Sequence, residues 1–126
     1  MAQTLNMIKP ASPLSAPDNL DVIGECYNGG VDMMISTAGP LDASDETCSR
    51  LEEKLSIYLY ACTHQNFAKV YPAAESGRVR IFVSDRHEVS ERAREVVAKF
   101  AEQALSLNVE VCVGSPVAQL VVQADR

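Results

Sequence analysis

Hydrophobic and polar residues alternate over two short runs near the start of the chain, from residue 20 to 26 and from residue 31 to 35. Alternation with a period of two is typical of β-strands that bury one face. The asparagine and two glycines between the runs suit a tight turn, because glycine readily adopts the positive φ that such turns need. The pattern therefore predicts a β-hairpin with one apolar face formed by Leu20, Val22, Cys26, Val31, Met33 and Ile35.

Two turns are compatible with this hairpin, and they give it different registers. An Asn-Gly turn would place Glu25 opposite Asp32, and like charges directly opposite each other destabilise a sheet. A Gly-Gly turn places Tyr27 opposite Asp32 instead, so we expect the second register. Both registers turn the same apolar residues inward.

The next stretch, from residue 44 to 62, has the periodicity of a helix. Ser44 is a good N-cap, and Asp45 and Glu46 suit the positive end of the helix dipole. Apolar residues follow at spacings of three and four, which predicts one buried stripe. The stripe consists of Cys48, Leu51, Leu55, Tyr58, Leu59 and Cys62.

The second half of the chain repeats a strand and a helix and ends with another strand. Alternation predicts strands at residues 79–83 and 109–113, and Ser90 caps a helix that Asn108 ends. The apolar positions of this helix are Ala93, Val96, Val97, Phe100, Ala104 and Leu107. The order β-β-α-β-α-β predicts an α+β two-layer sandwich with two helices on one face of a four-stranded mixed or antiparallel sheet. The pattern leaves the strand order open, and strands 3 and 4 are either parallel neighbours or separated by another strand.

A chain of 126 residues is the usual length of one domain. We expect a flexible arm at residues 1–18, the domain at 19–113 and an extension at 114–126. The extension adds an edge strand, packs on the domain or reaches a neighbouring subunit. Neither a secretory signal nor an apolar run of about 18 residues is present, and the four cysteines are scattered. These features predict a cytoplasmic protein that does not enter the membrane.

The net charge of −6 argues against nucleic-acid binding, which needs clustered Lys and Arg. Acidic residues concentrate in the hairpin region, and Asp21, Glu25 and Asp32 are our candidates for contacting a partner protein. The same carboxylates suit a divalent cation, but no calcium-loop spacing is present and a solvated polar face needs no ligand. We therefore expect no metal and no cofactor.

Lys54, Tyr58 and Tyr71 form the candidate ligand-binding cluster. Lys54 and Tyr58 are four residues apart on the first helix, and a desolvated lysine can act as a base or nucleophile. The commoner alternative is a lysine that lays its stem along the core edge and keeps its amine in water, and we expect this arrangement. We name no catalytic residue, because no nucleophile, base and orienting group occur in a known pattern. The sequence leaves open whether the chain is an enzyme and favours a non-enzyme.

Several short motifs together resemble a small bacterial family of domains of unknown function. They are "LDVIG", "VDMMIST", the helix "LEEKLSIYL" with its L-x-E-K-L-x-x-Y-L pattern, the Tyr-Pro turn, "VRIFV", "VSERA" and "VEVCV". The resemblance covers about residues 20 to 113, and the turn "TAGPLD" departs from it. It implies a β-β-α-β-α-β fold and a bacterial origin, and it implies no catalytic residue.

The sequence thus predicts a binding or accessory module that acts as a homodimer or with a partner protein. An immunity or inhibitor protein against a basic toxin is one form of this hypothesis. The alternative is a small-ligand-binding protein or enzyme that uses Lys54, Tyr58 and Tyr71.

Overall fold

The fold is seen in a computed structural model, which describes Leu14, residues 22–26 and residues 29–114. The expected N-terminal arm, apart from Leu14, and the extension beyond Gly114 lie outside the described residues. The strands are β1 (Val22–Glu25), β2 (Val31–Ile35), β3 (Val79–Val83) and β4 (Val109–Val113). The helices are α1 (Asp45–Thr63), α2 (Phe67–Val70) and α3 (Glu91–Leu105), with a 3₁₀ turn at Pro72–Ser76.

The four strands form one mixed sheet in the order β1-β2-β3-β4. β1 is antiparallel to β2, and β2, β3 and β4 are parallel to one another. Two right-handed crossovers that step in the same direction place α1 and α3 on the same face of the sheet. The predicted α+β class and element order are confirmed, and strands 3 and 4 are parallel neighbours.

Both long helices begin at the serines that the sequence singled out. The Ser44 hydroxyl accepts a hydrogen bond from the backbone N–H of Thr47 at 3.2 Å, and Ser90 accepts one from Ala93 at 3.1 Å. The turn after α3 is confirmed at Asn108, which has a φ of 60°. Leu107 was wrongly expected inside the helix, because α3 ends at Leu105 and leaves Leu107 52% exposed.

The core lies between the helices and one face of the sheet. All six apolar positions predicted for α1 are buried, at 9% exposure or less. They meet the alternate residues of the three parallel strands, which are buried on the helix side. No described helix is both long and apolar enough to cross a membrane.

The hairpin register differs from both predicted registers. Glu25 lies opposite Val31, and Ile23 lies opposite Met33 on the helix side. Cys26 closes the loop by bonding its N–H to the Gly30 carbonyl at 3.0 Å. Val22 therefore points to the helix-free side, where it is 51% exposed, and its expected burial was wrong.

Tertiary contacts at the turn end of the hairpin set this register. The Gly30 N–H bonds to the Ala73 carbonyl at 2.6 Å, and the Val31 N–H bonds to the Arg78 carbonyl at 3.1 Å. A Cβ on Gly77 would lie 2.5 Å from the Gly30 nitrogen, so these backbones approach each other too closely for side chains. These long-range contacts outweigh the local turn preference.

Candidate functional site

Lys54 lies in the middle of α1 and is wholly buried, with 0% exposure. Its amine nitrogen lies 5.9 Å from the ring centroid of Tyr58, which is equally buried. Tyr58 donates its hydroxyl to the Met34 carbonyl of β2 at 3.3 Å. Both side chains make at least one further interaction. The expectation that Lys54 keeps its amine in water was wrong, because Lys54 shares the buried helical stripe of Tyr58.

Tyr71, the third member of the predicted cluster, lies just after α2. Its ring contacts Phe67, with the two centroids 5.0 Å apart and the planes at 40°. The structure thus brings Lys54 and Tyr58 together, whereas the ring of Tyr71 packs against Phe67 of α2. The geometry by itself assigns no ligand to the three residues.

Two of the three acidic residues predicted to contact a partner protein have partners within the chain. Asp32 forms a two-pronged ion pair with Arg80, at 2.7 Å and 2.8 Å. This hydrogen bonding raises the pKa of Arg80. Glu25 accepts the backbone N–H of Ala73 at 2.8 Å, and Asp21 lies outside the described residues. Asp32 therefore joins β2 to β3, and Glu25 joins β1 to the 3₁₀ turn.

The thiols on the helix-free face are not activated nucleophiles. Burial raises the pKa of Cys26, and the nearby Asp32 raises it further. Burial also raises the pKa of Cys112, and the Glu110 carboxylate adds to the shift. Because both pKa values are raised above 9.0, both side chains are mostly neutral thiols near pH 7. The thiolate, which is the reactive form, is therefore scarce. On the helix side, burial raises the pKa of Cys62 to about 11.

Two grooves of about 430 Å³ each lie around the helices, and Lys54 lines neither. The first separates α1 from α3 and is crossed by an Arg92–Asp45 ion pair of 2.7 Å. The second lies at the amino end of the parallel strands, between Cys62, His64 and Leu107. Neither groove gathers a nucleophile and a base into a catalytic arrangement.

The outer side of β4 is an edge of the described sheet. β4 is the last strand in the sheet order, and within the described ranges no strand pairs with its outer side. Gly114 donates its N–H inward to the Val83 carbonyl at 2.9 Å. Because backbone groups alternate in direction along a strand, those of Val109, Val111 and Val113 point outward. In the part of the chain that the structure describes, β4 thus presents an open edge with no Pro, Lys or Gly within it.

The helix above this edge has a side, made of one arginine and three apolar residues, that is turned away from the groove with α1. α3 packs against β4, and the residues of α3 that line the groove with α1 are Arg92, Glu95, Val96 and Lys99. At 100° per residue, the opposite side of α3 carries Arg94, Ala98, Ala101 and Leu105, which we call the outer flank. Leu105 is 66% exposed. The outer flank therefore faces the space beside the open edge of β4.

Sequence reasoning missed this edge and flank. The strand order was undetermined, so β4 could not be recognised as an edge strand. The spacing of four, three and four from Arg94 to Leu105 was visible, but it adjoins the buried stripe and was not considered separately.

The chain was compared with protein families, curated proteins and solved structures. No curated protein and no solved structure that was compared matches the chain. A family model does match, over residues 13–116, which cover the sheet and all three helices. The chain belongs to the family of unknown function DUF6572.

Proposed function

We propose that the domain is a protein-binding module that takes up an extended segment of another polypeptide as a fifth strand beside β4. The observation that supports the proposal is that the open edge of β4 and the outer flank of α3 lie next to each other. The outward backbone groups of β4 would bond the incoming strand, and the outer flank of α3 would cover its apolar side chains. Binding by strand addition uses these two elements, main-chain bonds for affinity and side-chain contacts for specificity.

The position of α3 favours a lone strand over a whole second domain. Paired strands lie about 4.8 Å apart, whereas packed helices need about 8 to 10 Å between their axes. Because α3 packs on β4 itself, a second copy joined edge to edge would bring its own α3 too close. A homodimer of this kind would have to exchange a terminal segment, such as the predicted extension.

An immunity or inhibitor role toward a basic protein is one form of this proposal. The described hairpin acids are engaged inside the chain, so a basic partner would meet other carboxylates. The cytoplasmic location also belongs to the proposal, and it is supported by the absence of disulfides among the four cysteines, all of them described.

The test uses a labelled peptide of neutral alternating sequence, SVTLTVS, and fluorescence anisotropy. The parent should bind it saturably, and Val113→Pro should bind about tenfold more weakly or worse, because proline removes an outward N–H. Val113→Thr is the matched control, since it keeps that N–H and the branched shape. Equal affinity in all three proteins, or no saturable binding to the parent, would contradict the proposal.

A second candidate is a small-ligand-binding protein or enzyme that uses Lys54, Tyr58 and Tyr71. The complete burial of Lys54 favours it, because lysines are rarely buried unless they have a specific task or partner. Native mass spectrometry of the purified protein would show a retained small molecule. If Lys54→Met kept the parent's stability and every bound molecule, this candidate would be excluded.

A further inference from the structure

The open edge of β4 has two faces with different chemistry. On the helix-free face, Glu110 is 41% exposed, and Arg78 of the neighbouring β3 lies 3.3 Å from its carboxylate. No described strand lies on the other side of Glu110, toward the open edge. An incoming residue directly opposite Glu110 would share its face, because cross-strand pairs point the same way.

Cys112 lies two residues from Glu110 on the same face of β4. Burial raises the pKa of Cys112 first, and the Glu110 carboxylate is the next cause. Arg80 acts in the opposite direction but does not cancel the shift. On the open side of Glu110, an incoming side chain would meet a carboxylate that is 41% exposed.

On the helix side, the outer flank has small residues in the middle and larger ones at its ends. Ala98 and Ala101 lie between Arg94 and Leu105. α3 runs antiparallel to β4, to which it is joined by a short turn, so the alanines lie at about the height of Val111. Alanines there leave room for one large side chain on an incoming strand.

We infer that the segment taken up at β4 alternates apolar and basic residues, with a basic residue opposite Glu110 and a large apolar residue opposite Val111. This inference rests on the proposed function and names the chemistry of its partner. The occupant is a segment of a different protein, since the sequence on either side of the described domain does not alternate apolar and basic residues. Residues 115–126 contain one base, Arg126, which directly follows Asp125, and the only base in residues 1–21 is Lys9, directly before a proline.

The charge test compares two peptides that read the same in both directions, SVKLKVS and SVELEVS. They need no assumption about strand direction, and each places its leucine opposite Val111. The parent should prefer the lysine peptide by roughly threefold to tenfold, since attraction replaces repulsion across the pair. Glu110→Lys should reverse the preference, and Glu110→Gln should abolish most of it.

The two proposals fail in different ways. If Glu110→Lys kept the lysine preference of the parent, the net charge of the chain would explain it and the basic-segment inference would be overturned. The proposed function would stand in that case, provided that the neutral peptide SVTLTVS still bound. If no peptide bound saturably, both proposals would fall.

A second variant tests the apolar position separately. Ala98→Leu fills the middle of the outer flank, and leucine is tolerated well on an exposed helix position. It should weaken binding of SVTLTVS more than binding of SVTATVS, which carries a small residue at the centre. Equal effects on the two peptides would overturn the assignment of the large apolar residue.

Discussion

Gly114 donates its backbone N–H to the carbonyl of Val83 at 2.9 Å, and this bond fixes which backbone groups of β4 face outward. From it, the alternation along the strand assigns the N–H of Cys112 to the ladder with β3. The N–H groups of Val111 and Val113 are left on the open side. The outward direction of these two groups therefore follows from one hydrogen bond and the geometry of a strand.

Proline substitutions at Cys112 and Val113 should lower the free energy of unfolding by different amounts. Cys112→Pro should lower the free energy of unfolding by about 2 to 4 kcal/mol, because it removes a ladder bond and leaves a carbonyl of β3 unpaired. Val113→Pro should cost less, since its N–H does not bond to β3. Chemical denaturation of both variants measures the difference. A larger loss for Val113→Pro would mean that the outward direction is misassigned.

The buried pair in the core gives a second prediction. Tyr58→Phe should cost about 1 kcal/mol of stability, because it removes the hydroxyl bond to the Met34 carbonyl. Lys54→Met keeps a similar volume but removes the amine donors and leaves their partner groups unpaired in the core, so it should cost about 2 to 4 kcal/mol. Thermal and denaturant unfolding measure both changes. A Lys54→Met variant as stable as the parent would show that the amine contributes nothing to the fold.

The buried face of α1 shows how far the sequence could lead. Its apolar stripe and its Ser44 cap were predictable, because both depend on spacing and on local hydrogen bonding. Lys54 lies within the same stripe, but its charge made a solvated amine the natural expectation. Its burial depends on neighbours brought in from elsewhere in the fold, which the helical pattern alone does not reveal.

The hairpin marks the opposite limit. Turn preferences and charge repulsion were the only local guides to its register, and both candidate registers were wrong. The register is set by the bonds that Gly30 and Val31 make with Ala73 and Arg78, more than 40 residues away. The strand order also depends on contacts between distant parts of the chain, so the sequence did not predict it. The edge position of β4 could not be predicted without the strand order.

This close approach of backbones leads to a third prediction. A Cβ at Gly77 would meet backbone atoms of Gly29 and Gly30 within 2.9 Å, so Gly77→Ala should destabilise the domain by more than about 2 kcal/mol. A Cβ at Gly39 meets nothing within 4 Å, so Gly39→Ala serves as the control and should change stability by less than about 1 kcal/mol. Denaturant unfolding measures both. A similar loss of stability in the two variants would contradict the packing of Gly77 against the hairpin turn.

Alkylation of Cys112 gives a fourth prediction, one that depends on pH. The Glu110 carboxylate contributes to raising the pKa of this thiol above 9.0, so Glu110→Gln should lower the pKa and increase the thiolate fraction at pH 8. Reaction with iodoacetamide should then accelerate about twofold. The rate in both proteins should rise as the pH approaches the thiol pKa.

Cys62 is the internal reference for this experiment. Its pKa of about 11 has burial as its main cause and does not involve Glu110. Its slow alkylation should be the same in both proteins, as measured by mass spectrometry of the labelled peptides. An unchanged rate at Cys112, with Cys62 also unchanged, would show that the Glu110 charge is screened at the edge.

Amide hydrogen exchange along β4, followed by nuclear magnetic resonance, tests the central claim most directly. In the free protein, the amides of Val111 and Val113 should exchange quickly, while those of Cys112 and Gly114 are protected by β3. Saturation with SVKLKVS should slow the exchange of Val111 and Val113 and leave the other two nearly unchanged. Strong protection of Val111 and Val113 before any peptide is added, or no added protection at saturation, would contradict strand uptake at β4.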